Sequence, residues 1–218
     1  MDNQEQTLLD QDGGVATLAL NRPQKRNALS QQLRTEIVDR LKDLDEDESV
    51  QCVILTGIGS VFCAGFDRSE LESEAMTRVF AESQEYHRRV YTFPKPLVAA
   101  INGPALGGGC DLAALCDVRI ATESASFGQP QVRFGAAAAY DLMREILPEG
   151  AAREMCLTGR TYSAREALQL GLVTGVYEPD ALMQNAREIA EAIASLPDPM
   201  ARTAKQQFVA SQPVLFQP

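Results

Sequence analysis

A run of glycines between a strand-like segment and a helix-like segment constrains this chain more than any other feature. The apolar residues 96–101 predict a buried strand, and residues 112–115 predict the first turns of a helix. Between them stand Gly107, Gly108 and Gly109, with Asp111 two residues further on. Consecutive glycines let another group approach the backbone, and a helix start leaves N–H groups that attract negative charge. Two interpretations follow: an anion hole with an adjacent acid/base residue, or a close-packed helix start.

Composition and charge exclude several classes of function. The 218 residues carry a net charge of −10, which argues against a general nucleic-acid binder, because phosphates require clustered lysine and arginine. A single histidine, His87, excludes a His-rich metal site, and we expect it to be a partly exposed helix residue outside the functional site. Five cysteines without a CxxC pair predict buried free thiols in a reducing compartment. We expect neither a membrane span nor a secretory signal, and therefore a cytoplasmic protein.

The order of the predicted elements indicates an α/β protein. Besides the strand before the glycines, strands are predicted at residues 15–20, 52–56, 117–121 and 126–128. Helices are predicted after Ser30 as an N-cap and at residues 74–91, 139–147, 151–157, 163–170, 180–195 and 199–210. Strands that alternate with helices early, followed by helices late, are typical of an α/β core with a helical C-terminal layer.

Eight short segments occur in an order that is specific for one protein family, although each alone is modest evidence. They lie within residues 14–205, at 20–30, 53–57, 62–71, 94–103, 105–111, 116–117, 127–130 and 157–173. The best marked are Cys63-Ala64-Gly65-Phe66-Asp67 and Gly107-Gly108-Gly109-Cys110-Asp111. In this order they resemble the crotonase superfamily, also called the enoyl-CoA hydratase/isomerase family.

The resemblance implies both a fold and a site. The family folds as a spiral of repeated ββα units, and it stabilises a thioester enolate with two backbone N–H groups. Those donors map onto Phe66 and Gly108, and fixed donors in a dry site suit a developing oxyanion. The same resemblance assigns coenzyme A and substrate binding to Lys25, Arg26, Ala28, Ala64, Gly65, Asp67 and Gly107. For Lys25 and Arg26, an exposed pair of loop charges is the equally weighted alternative.

Two positions depart from the family pattern for hydration. Typical hydratases carry two glutamates, where this chain has Asp111 and Gln131. Asp111 is one methylene shorter and Gln131 cannot transfer a proton, so Asp111 is the candidate acid/base and Gln131 a polar positioner. Arg133, Tyr140 and Asp141 are candidates for the acyl pocket. Surface exposure is the alternative for Arg133, and a plain helix start is the favoured alternative for Tyr140 and Asp141.

The resemblance as a whole predicts an acyl-CoA enzyme of fatty acid metabolism. Enoyl-CoA hydration or isomerisation is the default reaction, with a coenzyme A thioester as substrate and neither a separate cofactor nor a metal. Decarboxylation, C–C cleavage and thioester hydrolysis are alternatives, as is a non-catalytic acyl-CoA-binding homologue. We expect a single domain, with a crotonase-like core at residues 1–195 and a shortened C-terminal helical segment at 196–218. We also expect a homotrimer or hexamer, whose pocket is either more open or closed by another subunit.

Overall fold

The computed structural model describes residues 5–70 and 76–211, of which residues 76–81 are described as backbone. In this part of the chain the strands form two sheets. They are β1 (Thr7–Asp12), β2 (Val15–Leu20), β3 (Cys52–Gly57), β4 (Leu97–Ile101), β5 (Ala105–Leu106), β6 (Val118–Thr122), β7 (Ser126–Gly128), β8 (Thr161–Ser163) and β9 (Gly175–Tyr177). The larger sheet has the order β1-β2-β3-β4-β6-β9, and the smaller sheet has the order β5-β7-β8.

Helices pack against these strands, and the last two helices follow all of these strands in the sequence. They are α1 (Gln31–Glu46), α2 (Met76–Tyr91), α3 (Gly108–Ala114), α4 (Tyr140–Ile146), α5 (Glu149–Thr158), α6 (Ala164–Gln169), α7 (Pro179–Ala194) and α8 (Met200–Ser211). Short 3-10 segments lie at Pro23–Lys25, Arg68–Glu70 and Pro130–Phe134.

From β4 to β7 successive strands alternate between the two sheets, and this alternation produces a spiral. β4 belongs to the larger sheet and β5 to the smaller one, and α3 follows; β6 and β7 repeat the step. From β2 to β9 every pairing in the larger sheet is parallel. The predicted α/β spiral of ββα units with a late helical layer is therefore confirmed.

Side-chain alternation along the parallel strands builds two apolar layers. In β3, Val53 and Leu55 face the main core, which lies between the two sheets and includes α1 and α3. The alternate residue Ile54 faces α7, whose Leu182 and Ala186 cover the opposite side of the larger sheet. Strands that are buried on both faces explain the continuous apolar runs in the sequence.

The helix after Ser30 begins as predicted. The Ser30 side chain accepts a hydrogen bond from the Leu33 backbone N–H at 3.2 Å, which makes Ser30 the N-cap of α1. The helix predicted at residues 74–91 is present from Met76, and residues 74 and 75 lie outside the described residues.

The C-terminal helix α8 is fastened to the core by a buried lysine. The Lys205 Nζ donates to an Asp117 carboxylate oxygen at 2.8 Å and to the Lys95 carbonyl at 3.0 Å. This helix falls within the predicted segment 196–218, whose boundary stays a prediction. Among the described helices none is both long and apolar enough to cross a membrane.

Candidate active site

The glycine turn connects β5 to α3 and presents a bare helix start. Gly107 is the N-cap with φ +53°, and it makes no side-chain cap hydrogen bond. Its own N–H donates to the Gly128 carbonyl in β7 at 2.8 Å. Gly108 occupies the first helical position, where an N–H has no intrahelical acceptor. A Cβ on Gly109 would lie 2.1 Å from the Cys63 carbonyl oxygen, so a side chain there would force the two segments apart.

The segment at residues 64–67 brings a second amide beside the glycine turn. Leu29 pairs with Phe66 through two hydrogen bonds: its N–H donates to the Gly65 carbonyl at 2.8 Å, and its carbonyl accepts from the Asp67 N–H at 3.2 Å. In a parallel pairing of this kind the Phe66 N–H points away from Leu29. Gly65 has φ +93°, and a Cβ there would lie 3.3 Å from the Gly108 nitrogen. The predicted pair of donors, Phe66 and Gly108, therefore lies on adjoining backbones.

Asp111 lies one helical turn beyond Gly107 and is buried. Its backbone N–H donates to the Gly107 carbonyl at 3.0 Å, and its Oδ1 accepts from the Gln129 Nε2 at 2.7 Å. Burial raises the pKa of Asp111 to about 7, although the hydrogen bond from Gln129 works in the opposite direction. An acid/base group with a pKa near the working pH is suited to both removing and returning a proton.

Gln131 reaches Asp111 through another glutamine. The Gln131 Nε2 donates to the Gln129 Oε1, and Gln129 in turn donates to Asp111. The Gln131 Oε1 lies against Gly107, where a Cβ would meet it at 3.2 Å. The two predicted catalytic positions thus belong to one polar network. Gln129, which links them, was not among the predicted site residues, although it stands in the matched segment 127–130.

His87 lies beside Asp111, although the sequence did not place it among the candidate site residues. Its side chain is only 12% exposed, and its Nε2 is 3.9 Å from the Asp111 Oδ2. Burial, followed by the positive charge of Arg34, lowers the pKa of His87 to about 4. The imidazole is therefore neutral at pH 7, and the contact is not an ion pair. Its helical spacing from the buried Val90 is the sequence signal that marks it as inward-facing.

The loop assigned to coenzyme A packs against the segment that carries Phe66. Arg22 forms an ion pair with Asp67 at 3.1 Å, and the Ala64 N–H donates to the Arg26 carbonyl at 3.0 Å. Burial works to raise the pKa of Asp67, but hydrogen bonds from Ser69 and Arg22 outweigh it and hold that pKa below its usual range.

The two basic side chains of that loop point outward. Lys25 ends the 3-10 segment, and Arg26 follows it with φ +52°; both are exposed. Ala28 is half-buried, and its carbonyl accepts from the Arg22 guanidinium. Exposure is compatible with both a phosphate-facing pair and a plain surface pair, so the assignment of Lys25 and Arg26 to coenzyme A stays a prediction.

The three acyl-pocket candidates have other neighbours. Arg133 is exposed, and its Nε donates to the Thr158 carbonyl at 2.9 Å, which favours the surface alternative. Asp141 is exposed in the first turn of α4, where its charge suits the helix dipole. The half-buried Tyr140 packs against the main core. For Asp141 the helix-start alternative is thus the one the structure favours.

Comparison with known proteins shows the family to which this chain belongs. A family model described as enoyl-CoA hydratase/isomerase matches residues 10–214. The short-chain-enoyl-CoA hydratase of Clostridium acetobutylicum is 37% identical over 91% of this chain and 79% of its own length. The 2,3-dehydroadipyl-CoA hydratase of Escherichia coli is 36% identical, over 93% of this chain and 81% of its own. The crystal structure of an enoyl-CoA hydratase from Bacillus anthracis superposes with a TM-score of 0.90 at 35% identity, covering 94% of this chain and 83% of the other. The chain belongs to the enoyl-CoA hydratase/isomerase family of the crotonase superfamily.

Proposed function

We propose that this protein is an enoyl-CoA hydratase or isomerase that stabilises a thioester enolate. The observation that carries the proposal is the adjacency of two backbones, at Phe66 and Gly108, with a buried acid/base residue, Asp111, in the first turn behind them. Two fixed N–H donors suit the oxygen of a thioester as it gains charge, and each such donor typically contributes about 10²–10³ in rate.

One carboxylate is enough for both reactions. In isomerisation, the Asp111 carboxylate removes a proton from Cα of a 3-enoyl thioester and then returns it to Cγ, which moves the double bond. In hydration, the carboxylate takes a proton from water as the water oxygen bonds to Cβ, and it then gives that proton to Cα. In each reaction the enolate oxygen faces the Phe66 and Gly108 amides, and Asp111 ends as it began. Gln131 holds the Gln129–Asp111 network in place.

The substrate in this proposal is a coenzyme A thioester, and the reaction uses no separate cofactor or metal. Lys25 and Arg26 contact its phosphates, which gives a local positive patch to a chain with net charge −10. Ala28, Ala64 and Asp67 line the adenine and pantetheine path, while Gly65 and Gly107 permit close approach to the thioester.

The remaining parts of the proposal concern assembly and location. We place the protein in the cytoplasm, in fatty acid metabolism, as a homotrimer or hexamer. Large exposed apolar side chains support self-association: Leu157 is 79% exposed and Phe134 is 71% exposed. Sedimentation equilibrium on the full chain tests the oligomeric state.

The activity is tested with two substrates and two isosteric variants. We expect the wild type to hydrate crotonyl-CoA, followed by loss of the conjugated-thioester absorbance, or to convert a 3-enoyl-CoA into a 2-enoyl-CoA. Asp111→Asn keeps the shape of the side chain and removes its proton transfer, so the rate falls about 10²–10⁴-fold. Gln131→Glu adds a second carboxylate and raises hydration relative to isomerisation. Tight binding of several acyl-CoA esters without turnover would instead identify a non-catalytic homologue.

A further inference from the structure

A series of polar side chains runs through the buried centre of the site and ends at the imidazole of His87. Gln131 donates to Gln129, and Gln129 donates to the Asp111 Oδ1 at 2.7 Å. Because each amide donates towards the carboxylate, Asp111 is the final acceptor of this series. Its second oxygen, Oδ2, faces the His87 Nε2 at 3.9 Å.

Both ends of this series carry a buried polar atom without a partner. Within the described part of the chain, the His87 Nε2 and the Gln131 Oε1 are buried side-chain atoms that make no hydrogen bond. Such atoms are costly and call for an explanation. A distance of 3.9 Å exceeds a hydrogen bond by about 1 Å, and catalytic hydrogen bonds often tighten to full length only when substrate is bound.

We propose that His87 is a positioning residue for Asp111, its Nε2–H donating to the Asp111 Oδ2 when an acyl-CoA substrate fills the site. The proposal rests on the enoyl-CoA activity proposed above. The carboxylate would then be held on both oxygens, by Gln129 on one side and by His87 on the other. These two contacts fix a side chain that is one methylene shorter than glutamate, in a site where position 131 carries a glutamine in place of a second glutamate. The imidazole stays neutral throughout, and the proton moves only through Asp111.

The groups around the His87–Asp111 pair make its titration simple to interpret. The charged or titratable side chains that interact with the pair come from four helices and from the segment before Gly65. They are Arg34 of α1, Tyr86 of α2, Cys110 of α3, Cys156 of α5 and Cys63. Burial raises the pKa of the Cys63 thiol to about 12 and that of Cys156 to about 11, and it raises the pKa values of Cys110 and Tyr86 as well. These three thiols and the Tyr86 hydroxyl remain neutral around pH 7, so Asp111 dominates the pH dependence there.

The test is the pH profile of kcat for the wild type and three variants. His87→Phe keeps a ring of similar size and removes the donor, so the midpoint of the profile rises by about one pH unit, because a carboxylate that loses a hydrogen bond is harder to ionise. The same variant loses about 10–10²-fold in kcat through misplacement of Asp111. His87→Gln places an amide N–H where the Nε2–H was, so it restores the midpoint. Tyr86→Phe, the matched control on the same helix, leaves the midpoint unchanged.

An unmoved or lowered midpoint in His87→Phe overturns the proposal, as does a failure of His87→Gln to restore it. Where His87→Phe does not fold, His87→Asn serves instead, because its amide is too short to reach the carboxylate. If the wild type turns over neither substrate, the proposed function fails, but the contact is still tested. NMR titration of the labelled Asp111 carboxyl carbon in the acetyl-CoA complex reads the same pKa without turnover, and the wild type must then show a lower value than His87→Phe.

Discussion

Replacing Gly65 by alanine tests whether the paired amides depend on the close approach of two backbones. Gly65 has φ +93°, and an added Cβ would lie 2.7 Å from the Leu106 carbonyl oxygen and 3.3 Å from the Gly108 nitrogen. The first distance is about 0.6 Å shorter than an ordinary carbon–oxygen contact of about 3.3 Å. Both neighbours are backbone atoms, so the segment that carries Phe66 must move away from the glycine turn.

The size of the effect follows from that displacement. A misplacement of about 1 Å costs on the order of 10² in rate, and loss of one oxyanion donor costs about 10²–10³. A shift of about half an ångström is therefore expected to lower kcat about 10–10²-fold. The left-handed backbone adds about 1–2 kcal/mol of destabilisation. Gly171 allows this backbone strain to be measured separately from the displacement of Phe66. It also has a positive φ, +77°, but a Cβ there meets nothing within 4 Å.

The assay compares kcat and urea unfolding for Gly65→Ala and Gly171→Ala. We expect both variants to lose stability through backbone strain, and only Gly65→Ala to lose kcat. A folded Gly65→Ala with wild-type kcat would refute the reasoning, because the two amides would then tolerate separation. Equal kcat losses in the two variants would refute it as well, since strain alone would explain them.

Two further predictions concern stability. The pKa of Asp111 in the folded protein, about 7, exceeds its ordinary value of 3.8, so ionised Asp111 destabilises the fold. As pH rises from about 4 to about 7, the free energy of unfolding of the wild type therefore falls by roughly 4 kcal/mol relative to that of Asp111→Asn. Urea unfolding of both proteins at several pH values measures this difference in the free energy of unfolding. Both proteins contain His87, so the comparison cancels the stability that His87 costs as pH falls from 6.5 to about 4. Parallel curves of unfolding free energy against pH for the two proteins would contradict the prediction. Lys205→Met leaves the largely buried Asp117 carboxylate without its cation and is expected to cost about 3 kcal/mol. Amide hydrogen exchange should then accelerate throughout α8, and unchanged protection of that helix would argue that Lys205 does not hold it.

The elements that could be predicted from the sequence are those whose own side chains specify them. Ser30 caps α1 with a local hydrogen bond, and β3 is an apolar run buried on both faces. β1, β5, β8 and β9 were not predicted. The last three have only two or three residues each, and β1 is mostly exposed. Such strands form because a neighbouring strand offers hydrogen bonds, and no local pattern records that neighbour.

The candidate site also contains features that the sequence reveals and features that only the fold reveals. The glycines around Gly108 are visible in the sequence because a backbone that must be approached closely requires glycine, and a Cβ on Gly109 would strike the Cys63 carbonyl. The contact between His87 and Asp111 joins α2 to α3 across 24 positions of sequence, and its existence depends on how the two helices pack. Periodicity marks His87 as inward-facing, but only the fold shows what it faces.

In the proposed reaction, burial of a single carboxylate supplies what a second carboxylate would otherwise provide. Asp111 would act once as a base and once as an acid, and a group is most effective in both roles when its pKa lies near the ambient pH. A solvent-exposed aspartate would be a weak base and would hold its proton too briefly to deliver it to carbon. Burial moves the pKa of Asp111 to about 7, and Gln129 prevents a still larger rise by donating to its Oδ1. The glutamine at position 131 fits this arrangement, because a carboxylate there would repel ionised Asp111 and raise its pKa further.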